Sequence, residues 1–300
     1  VDWKLSLAGL LIGLLVGMTG MGGGSLMTPL LVLVFGFKPT VAIGTDILHG
    51  AIFKSFGAVQ HRRLGNVNLR LALWMLLGSA PLSLVGVMVA TWLKHHYGDG
   101  FEAVAKEILG VALVLCGLGF LAKAFLRSRP RGGSWRMSVR DKRIAFVTGL
   151  AGGFVVGLTS VGSGTFFGLV MMLVFPLSAA AVVGTDIFHA AALLWVAGAG
   201  HIVAGNVDLG ATGWLLIGSI PGVLLGGHFT VHLPDRVLRV ALATTLTLAG
   251  VKLVDFPGAD MVLLAGVAAA LAGALLALSV RLGRRARPLP VADAVPSSEP

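Results

Sequence analysis

Two constellations in this chain carry residue types suited to proton chemistry. Thr45-Asp46-x-x-His49 and Thr185-Asp186-x-x-His189 each set a carboxylate and an imidazole three residues apart. On a helix that spacing puts both groups on one face, where they can hydrogen-bond. One reading is coupling: Asp46 and His49, and Asp186 and His189, exchange a proton as an anion binds and leaves. A second reading is structural. Gly44-Thr45-Asp46 and Gly184-Thr185-Asp186 also look like helix starts, with Asp as a cap and His satisfying a neighbour. Both fit. The hydroxyls of Thr45 and Thr185 are candidates to line a substrate site. The same carboxylates and imidazoles can in principle ligate a divalent metal.

A second pair of features is suited to anions. Gly17 to Ser25 and Gly157 to Thr165 are glycine-rich breaks, each closed by a hydroxyl residue at the head of a short apolar run. Such a hydroxyl can cap the helix that follows. The free N–H groups and dipole of that helix then attract an anion without Lys or Arg. Gly22, Gly23, Gly24 and Ser25, with Gly162, Ser163, Gly164 and Thr165, are the substrate-binding candidates. Glycine alone would also suit close helix packing. The hydroxyl at both breaks favours the anion reading.

The elements that position these residues are membrane helices. The chain is 56% hydrophobic and 12% charged, with a mean hydropathy of +0.92. Soluble domains carry about 25% charged residues. The apolar runs are too long for barrel strands. In that setting an ionised Asp at a helix centre costs about 2.5–3.5 kcal/mol. The net charge of +10 sits largely in 127–143 and after residue 280. Short basic loops beside spans mark the cytoplasmic side and argue against nucleic acid as a partner. The opening Val1-Asp2-Trp3-Lys4 lacks the basic stretch of a signal peptide. The one cysteine, Cys116, excludes an intrachain disulfide.

The chain also contains itself twice. Residues 17–93 align with 157–233 at a constant offset of 140, with 26 of 77 positions identical. Apolar segments run over 5–18, 23–37, 40–60, 69–93 and 104–126, then over 144–158, 163–176, 180–201, 210–233, 237–254 and 260–280. The first two segments of each half are about 15 residues, short of the ~20 needed to span. With both basic segments inside, each short pair adds zero or two crossings, and a re-entrant hairpin is favoured. Loop 61–70 then falls inside with three arginines, and its copy 201–210 falls outside with none. Opposite placement of homologous loops indicates an inverted-topology repeat.

The expected fold is therefore an all-α polytopic membrane protein of two inverted-topology repeats. Glycine-broken short helices accompany about seven full transmembrane helices. The boundaries are 1–126 for the first repeat, 127–143 for a basic cytoplasmic linker and 144–255 for the second repeat. An extra helix over 256–282 and a disordered cytoplasmic tail over 283–300 follow. The N-terminus is expected outside. Lys54, whose counterpart is Leu194, is placed near the inner mouth of its span, with snorkelling as its default role. His61 and His201 are read as interfacial. Asn66 and Asn206 are read as turn residues. Pro81 and Pro221 are expected to kink their helices.

Gly17–Ser25 with Pro29, Gly44-Thr45, Gly65-Asn66-Val67 and Gly78 with Pro81 resemble the TauE/SafE family of sulfite exporters. The resemblance covers about residues 5–280. It implies export of sulfite or an organosulfonate across the bacterial inner membrane, with no cofactor. Pro29 is replaced by Leu169 in the second copy, so the two half-sites differ. The chain has neither a His-Glu-x-x-His helix nor a Gly-x-Ser-x-Gly elbow, and an enzyme is not expected. A divalent-metal transporter or an intramembrane metal-dependent enzyme using the Asp/His pairs is the alternative.

Overall fold

The computed structural model describes residues 3–19, 24–125, 135, 137–164, 166–229 and 235–254, and every regular element among them is a helix. The order is α1 (Trp3–Thr19), α2 (Gly24–Leu33), α3 (Pro39–Arg63), α4 (Leu69–Tyr97), α5 (Asp99–Phe125), α6 (Val139–Thr159), α7 (Phe166–Val174), α8 (Ala179–Val203), α9 (Leu209–Phe229) and α10 (Asp235–Leu253). Three helices of the described residues are long and apolar enough to cross a membrane: α4, α6 and α8. The helix expected over 256–282, the tail and most of the basic linker lie outside the described residues.

The expected pairs of equally short helices are corrected. α1, with 17 residues, is close to expectation, but its partner α2 has only 10. In the second pair a long α6 of 21 residues precedes an α7 of 9. α6 starts at Val139 because Ser138 and Asp141 form a reciprocal capping box, the Ser138 hydroxyl accepting from Asp141 N–H at 3.2 Å and the Asp141 carboxylate accepting from Ser138 N–H at 2.9 Å. Its 21 residues extend about 31 Å, whereas the 9 of α7 extend only about 14 Å. The same capping chemistry opens α4 and α9. Asn68 Oδ1 accepts from Leu71 N–H at 3.1 Å, and Asp208 Oδ1 accepts from Ala211 N–H at 2.8 Å.

Packing crosses between the two halves of the chain. α1 lies on α9, α6 on α4, α8 on α3 and α10 on α5. Glycine makes the first two contacts close. A Cβ on Gly9 would meet the backbone of Leu215, and one on Gly13 would meet Ser219. At an offset of 140, Gly149 faces the backbone of Met75 and Gly153 that of Ser79. Without Cβ atoms the helix axes approach until backbones touch, which is how helices gain dispersion energy where lipid removes the hydrophobic drive. Ser6 Oγ donates to Trp214 O at 2.8 Å in the α1–α9 contact.

Contact registers give directions. Gly78 faces Phe146 and Leu150, and Gly86 faces Phe154 and Leu158, so α4 and α6 run parallel. Gly50 faces Leu194, Gly57 faces Ile187 and Gly198 faces Leu48, so α3 and α8 run antiparallel. Most of α3 is buried, as is 61% of the apolar stretch of α8, and the largest apolar cluster among the described residues includes Ile43, Ile47 and Ala51 of α3 with Leu193, Leu194 and Ala197 of α8.

Gly13→Val and Gly153→Val are each expected to destabilise the fold by about 1–3 kcal/mol, since the opposing atoms are backbone and cannot swing aside. Gly213, with open space around its Cβ position, serves as control. Gly213→Ala should be neutral or slightly stabilising. SDS-induced unfolding of the purified chain in mixed micelles measures all three.

Candidate functional site

α3 begins at Pro39 and α8 at Ala179, so Thr45-Asp46 and Thr185-Asp186 lie in the second turn of long helices. The helix-capping reading of the two aspartates is thereby removed. Asp46 is buried, and its Oδ2 accepts hydrogen bonds from Thr28 Oγ1 on α2 and from Ser160 Oγ at 2.8 Å. Ser160 is the C-cap of α6 and sits in the left-handed region at φ 63°. One carboxylate thus ties a half-length helix to the end of α6.

Lys54 lies two turns further along α3. It is 2% exposed, which corrects the expectation of a snorkelling residue at the mouth. Its Nζ donates to Ser163 O at 2.9 Å and to Ser163 Oγ at 3.0 Å. Ser163 belongs to the break between α6 and α7. Gly162 and Gly164 flank it at φ +102° and +131°, values that glycine adopts and other residues resist. Gly164 N–H donates to Gly162 O at 2.8 Å, folding the break into a tight turn. Lys54 interacts electrostatically with both Asp46 and Asp186, and with both His49 and His189. Four other buried titratable side chains thus lie within electrostatic reach of a single ammonium.

The histidines do not bond to the aspartates three residues before them. His49 Nε2 is hydrogen-bonded to Ser219 Oγ on α9 at 2.8 Å, and His189 Nε2 to Ser79 Oγ on α4 at 2.9 Å. These are the same contact at an offset of 140, each made to the other half. Two helices at this depth offer a hydroxyl across the interface at the height of each imidazole. That hydrogen bond takes the place of the local one.

Thr45 and Thr185 act as clamps. Thr45 Oγ1 accepts from Asp208 N–H at 3.0 Å, and Thr185 Oγ1 from Asn68 N–H at 2.9 Å. Beside them Gly44 and Gly184 sit against the carbonyls of Asn206 and Asn66. The loops entering α9 and α4 are thus pinned to α3 and α8. Asn206 is more than a turn residue: it is buried, donates to Thr91 Oγ1 at 3.1 Å and accepts from Lys94 at 2.8 Å. His201 is likewise buried rather than interfacial, with Nε2 donating to Gly157 O at 3.0 Å.

Of the glycine-break candidates, Ser163 meets α3 through the Lys54 contacts, with Gly162 and Gly164 on either side of it in the turn. Gly24 and Ser25 open α2. Gly22, Gly23 and Thr165 lie outside the described residues. Sequence reasoning missed Thr28, Lys54 and Ser160 as site residues. The signal was the mismatch between copies: their counterparts are Gly168, Leu194 and Gly20, and that of Ser163 is Gly23. Among the described residues no three of His, Cys, Asp and Glu converge as a metal site would require.

Long apolar helices around a buried polar centre define a multi-pass helical membrane protein. The family model for the sulfite exporter TauE/SafE matches residues 5–253, and the chain belongs to that family of membrane transporters. It is 37% identical over 253 residues to the probable membrane transporter protein YjnA of Bacillus subtilis strain 168, covering 84% of this chain and 99% of that one. It is 27% identical over 247 residues to YdhB of the same organism, also a probable membrane transporter protein, covering 81% of this chain and 96% of that one. No solved structure matches the chain.

Ser79→Ala and Ser219→Ala should each leave an imidazole nitrogen unpaired and cost about 1–3 kcal/mol. Pairing Ser219→Ala with His49→Leu should cost less than the sum of the two single changes, and a double-mutant cycle on unfolding free energies measures the difference.

Proposed function

We propose that this protein is a secondary transporter that exports a small sulfur-containing oxyanion, sulfite or an organosulfonate, across the bacterial inner membrane. The observation that carries the anion reading is the buried ammonium of Lys54, held on Ser163 at the glycine break that opens onto α7. A cation and the first turn of a helix meet at one point. Their positive potentials add where an anion would bind. Membership of the sulfite exporter family supports sulfite as the substrate.

The two halves form inverted-topology repeats, 1–126 and 144–255, joined by the basic cytoplasmic linker 127–143. The antiparallel run of α3 and α8, equivalent by sequence, supports the inversion. The 256–282 segment adds a further span, giving about seven full crossings beside the α1–α2 and α6–α7 pairs. The N-terminus lies outside and the C-terminus in the cytoplasm. Alternating access then arises from rocking of the two repeats about the α3–α8 centre.

Transport is coupled to protons. An anion entering beside Lys54 weakens the attraction between that ammonium and Asp46, favouring uptake of a proton on the carboxylate. Asp186, reached by the same ammonium, responds in the same direction. His49 and His189 hold the adjacent hydroxyls in place and complete the coupling cluster.

Sulfite efflux from proteoliposomes is the test. Wild type should show saturable efflux that accelerates under an imposed pH gradient. Lys54→Met and Gly164→Leu should each lower it at least tenfold, and Asp46→Asn should leave flux that ignores the gradient. Absence of flux for sulfite and methanesulfonate from folded wild type would remove the substrate assignment.

A further inference from the structure

The two oxygens of Asp46 are placed unequally. Oδ2 accepts from both Thr28 Oγ1 and Ser160 Oγ, while Oδ1 is buried with no hydrogen-bond partner. The Thr28 backbone N–H adds a weaker contact to the same carboxylate. An oxygen that already holds two hydroxyl protons is a poor place for a third. The bare oxygen is the open one.

Neither donor is required by the repeated frame. Ser160 sits at φ 63° and is the only non-glycine residue at positive φ among the described residues. Glycine adopts that conformation freely and serine resists it. At an offset of 140 the residue is Gly20, and the counterpart of Thr28 is Gly168. One copy thus sets hydroxyls on its aspartate at two places where the other copy has no side chain, and Asp186 is not offered the same pair. A serine kept against its backbone preference points to the bond that it makes.

The two donors also come from separate elements. Thr28 lies in the second turn of α2, and Ser160 caps the end of α6, three residues before Ser163. The charged and titratable groups around Asp46 are Lys54 and His49 on its own helix, and Asp186 and His189 on α8, which lie in reach of the same ammonium. Glu102 of α5 is bonded to Thr40 at the head of α3. α2, α6 and α9 contribute hydroxyls: Thr28, Ser160 and Ser219.

We propose that Thr28 and Ser160 are positioning residues for proton exchange at Asp46: they saturate Oδ2 and leave Oδ1 as the atom that takes up and gives back the proton. This rests on the reading of Asp46 as a coupling residue. The step is a plain transfer. A proton from water adds to Oδ1, the carboxylate becomes a neutral acid whose carbonyl oxygen is Oδ2, and the reverse step returns the proton to water. A hydrogen bond to a charged acceptor is about twice as strong as one to a neutral acceptor. Asp46 therefore grips α2 and the end of α6 while ionised and loosens both when the proton arrives. The event that neutralises the charge is the one that frees the two elements to shift.

The test is infrared difference spectroscopy of the full chain in nanodiscs, titrated from alkaline to acid pH. The acid carbonyl band of Asp46, identified by its loss in Asp46→Asn, should appear at the low frequency of a twice-bonded carbonyl. Thr28→Val and Ser160→Gly should each move it to higher frequency, and Thr28→Ser should return it to the wild-type position. Glycine suits the backbone at residue 160, so Ser160→Gly keeps the fold. In proteoliposomes the same two variants should lose about fivefold of the gradient's acceleration of sulfite efflux, with KM within about twofold of wild type. A band at the frequency of an unbonded carbonyl, unmoved by either variant, would put the proton on Oδ2 and overturn the proposal, while leaving Asp46 a coupling residue. Acceleration kept at wild-type strength in both variants would overturn it as well. Absence of an Asp46 acid band at every pH where the chain stays folded would remove the coupling reading, and this proposal with it. The infrared arm needs no substrate and decides the matter even for a chain that carries neither sulfite nor methanesulfonate.

Discussion

Inside hydrocarbon a polar side chain has no water to fall back on, and each must find its partner within the protein. In this chain those partners repeatedly come from the other half. His49 bonds to Ser219 and His189 to Ser79. Asp46 is held by Ser160, and Lys54 by Ser163. Thr45 and Thr185 clamp Asp208 and Asn68. The polar centre is complete only when the halves are docked. Docking to that depth requires helix backbones in contact, which the glycines of α1 and α6 permit. The most chemically inert residue in the chain thus sets the distances on which its most reactive groups depend.

Duplication supplies shape, and divergence supplies chemistry. The clamps, the crossed His–Ser pairs and the close glycine contacts occur twice, in equivalent places. The ammonium and its serine, and the two hydroxyls on Asp46, occur once. Their counterparts are Leu194, Gly23, Gly168 and Gly20. All four unmatched residues act at α3, Thr28 and Ser160 on its Asp46 and Ser163 on its Lys54. A symmetric frame thus holds one buried ammonium, on α3, where α8 carries Leu194.

Much of the fold was legible in the sequence. The ten described helices fall on ten of the eleven expected apolar segments, because a hydropathy run in a membrane chain is a direct report of burial in lipid. Boundaries were less legible. The start of α6 was missed because its capping box, Ser138 with Asp141, lies in a basic stretch that reads as loop. The site was legible only in part. Asp46, His49 and their copies stood out by repetition, but repetition hid Lys54, whose lack of a copy suggested a marginal role. Local spacing also misled: i, i+3 geometry allows an Asp–His bond, yet tertiary neighbours at the same depth offered each group a different partner. Such cross-half pairings depend on which helix lies beside which, and one copy of a sequence does not encode that visibly.

The lacing of the halves also orders the birth of the molecule. Ser6 and the Trp214 carbonyl it binds are 208 residues apart. At about 5–20 residues per second, α1 leaves the ribosome roughly 10–40 s before α9 exists. Throughout that interval its glycine-lined face has only lipid, or the insertion machinery, to lie against. α4 waits far less for α6, across a gap of 41 residues between Tyr97 and Val139. The earliest of the described helices therefore docks only after α9 has been made, and the polar centre closes no sooner.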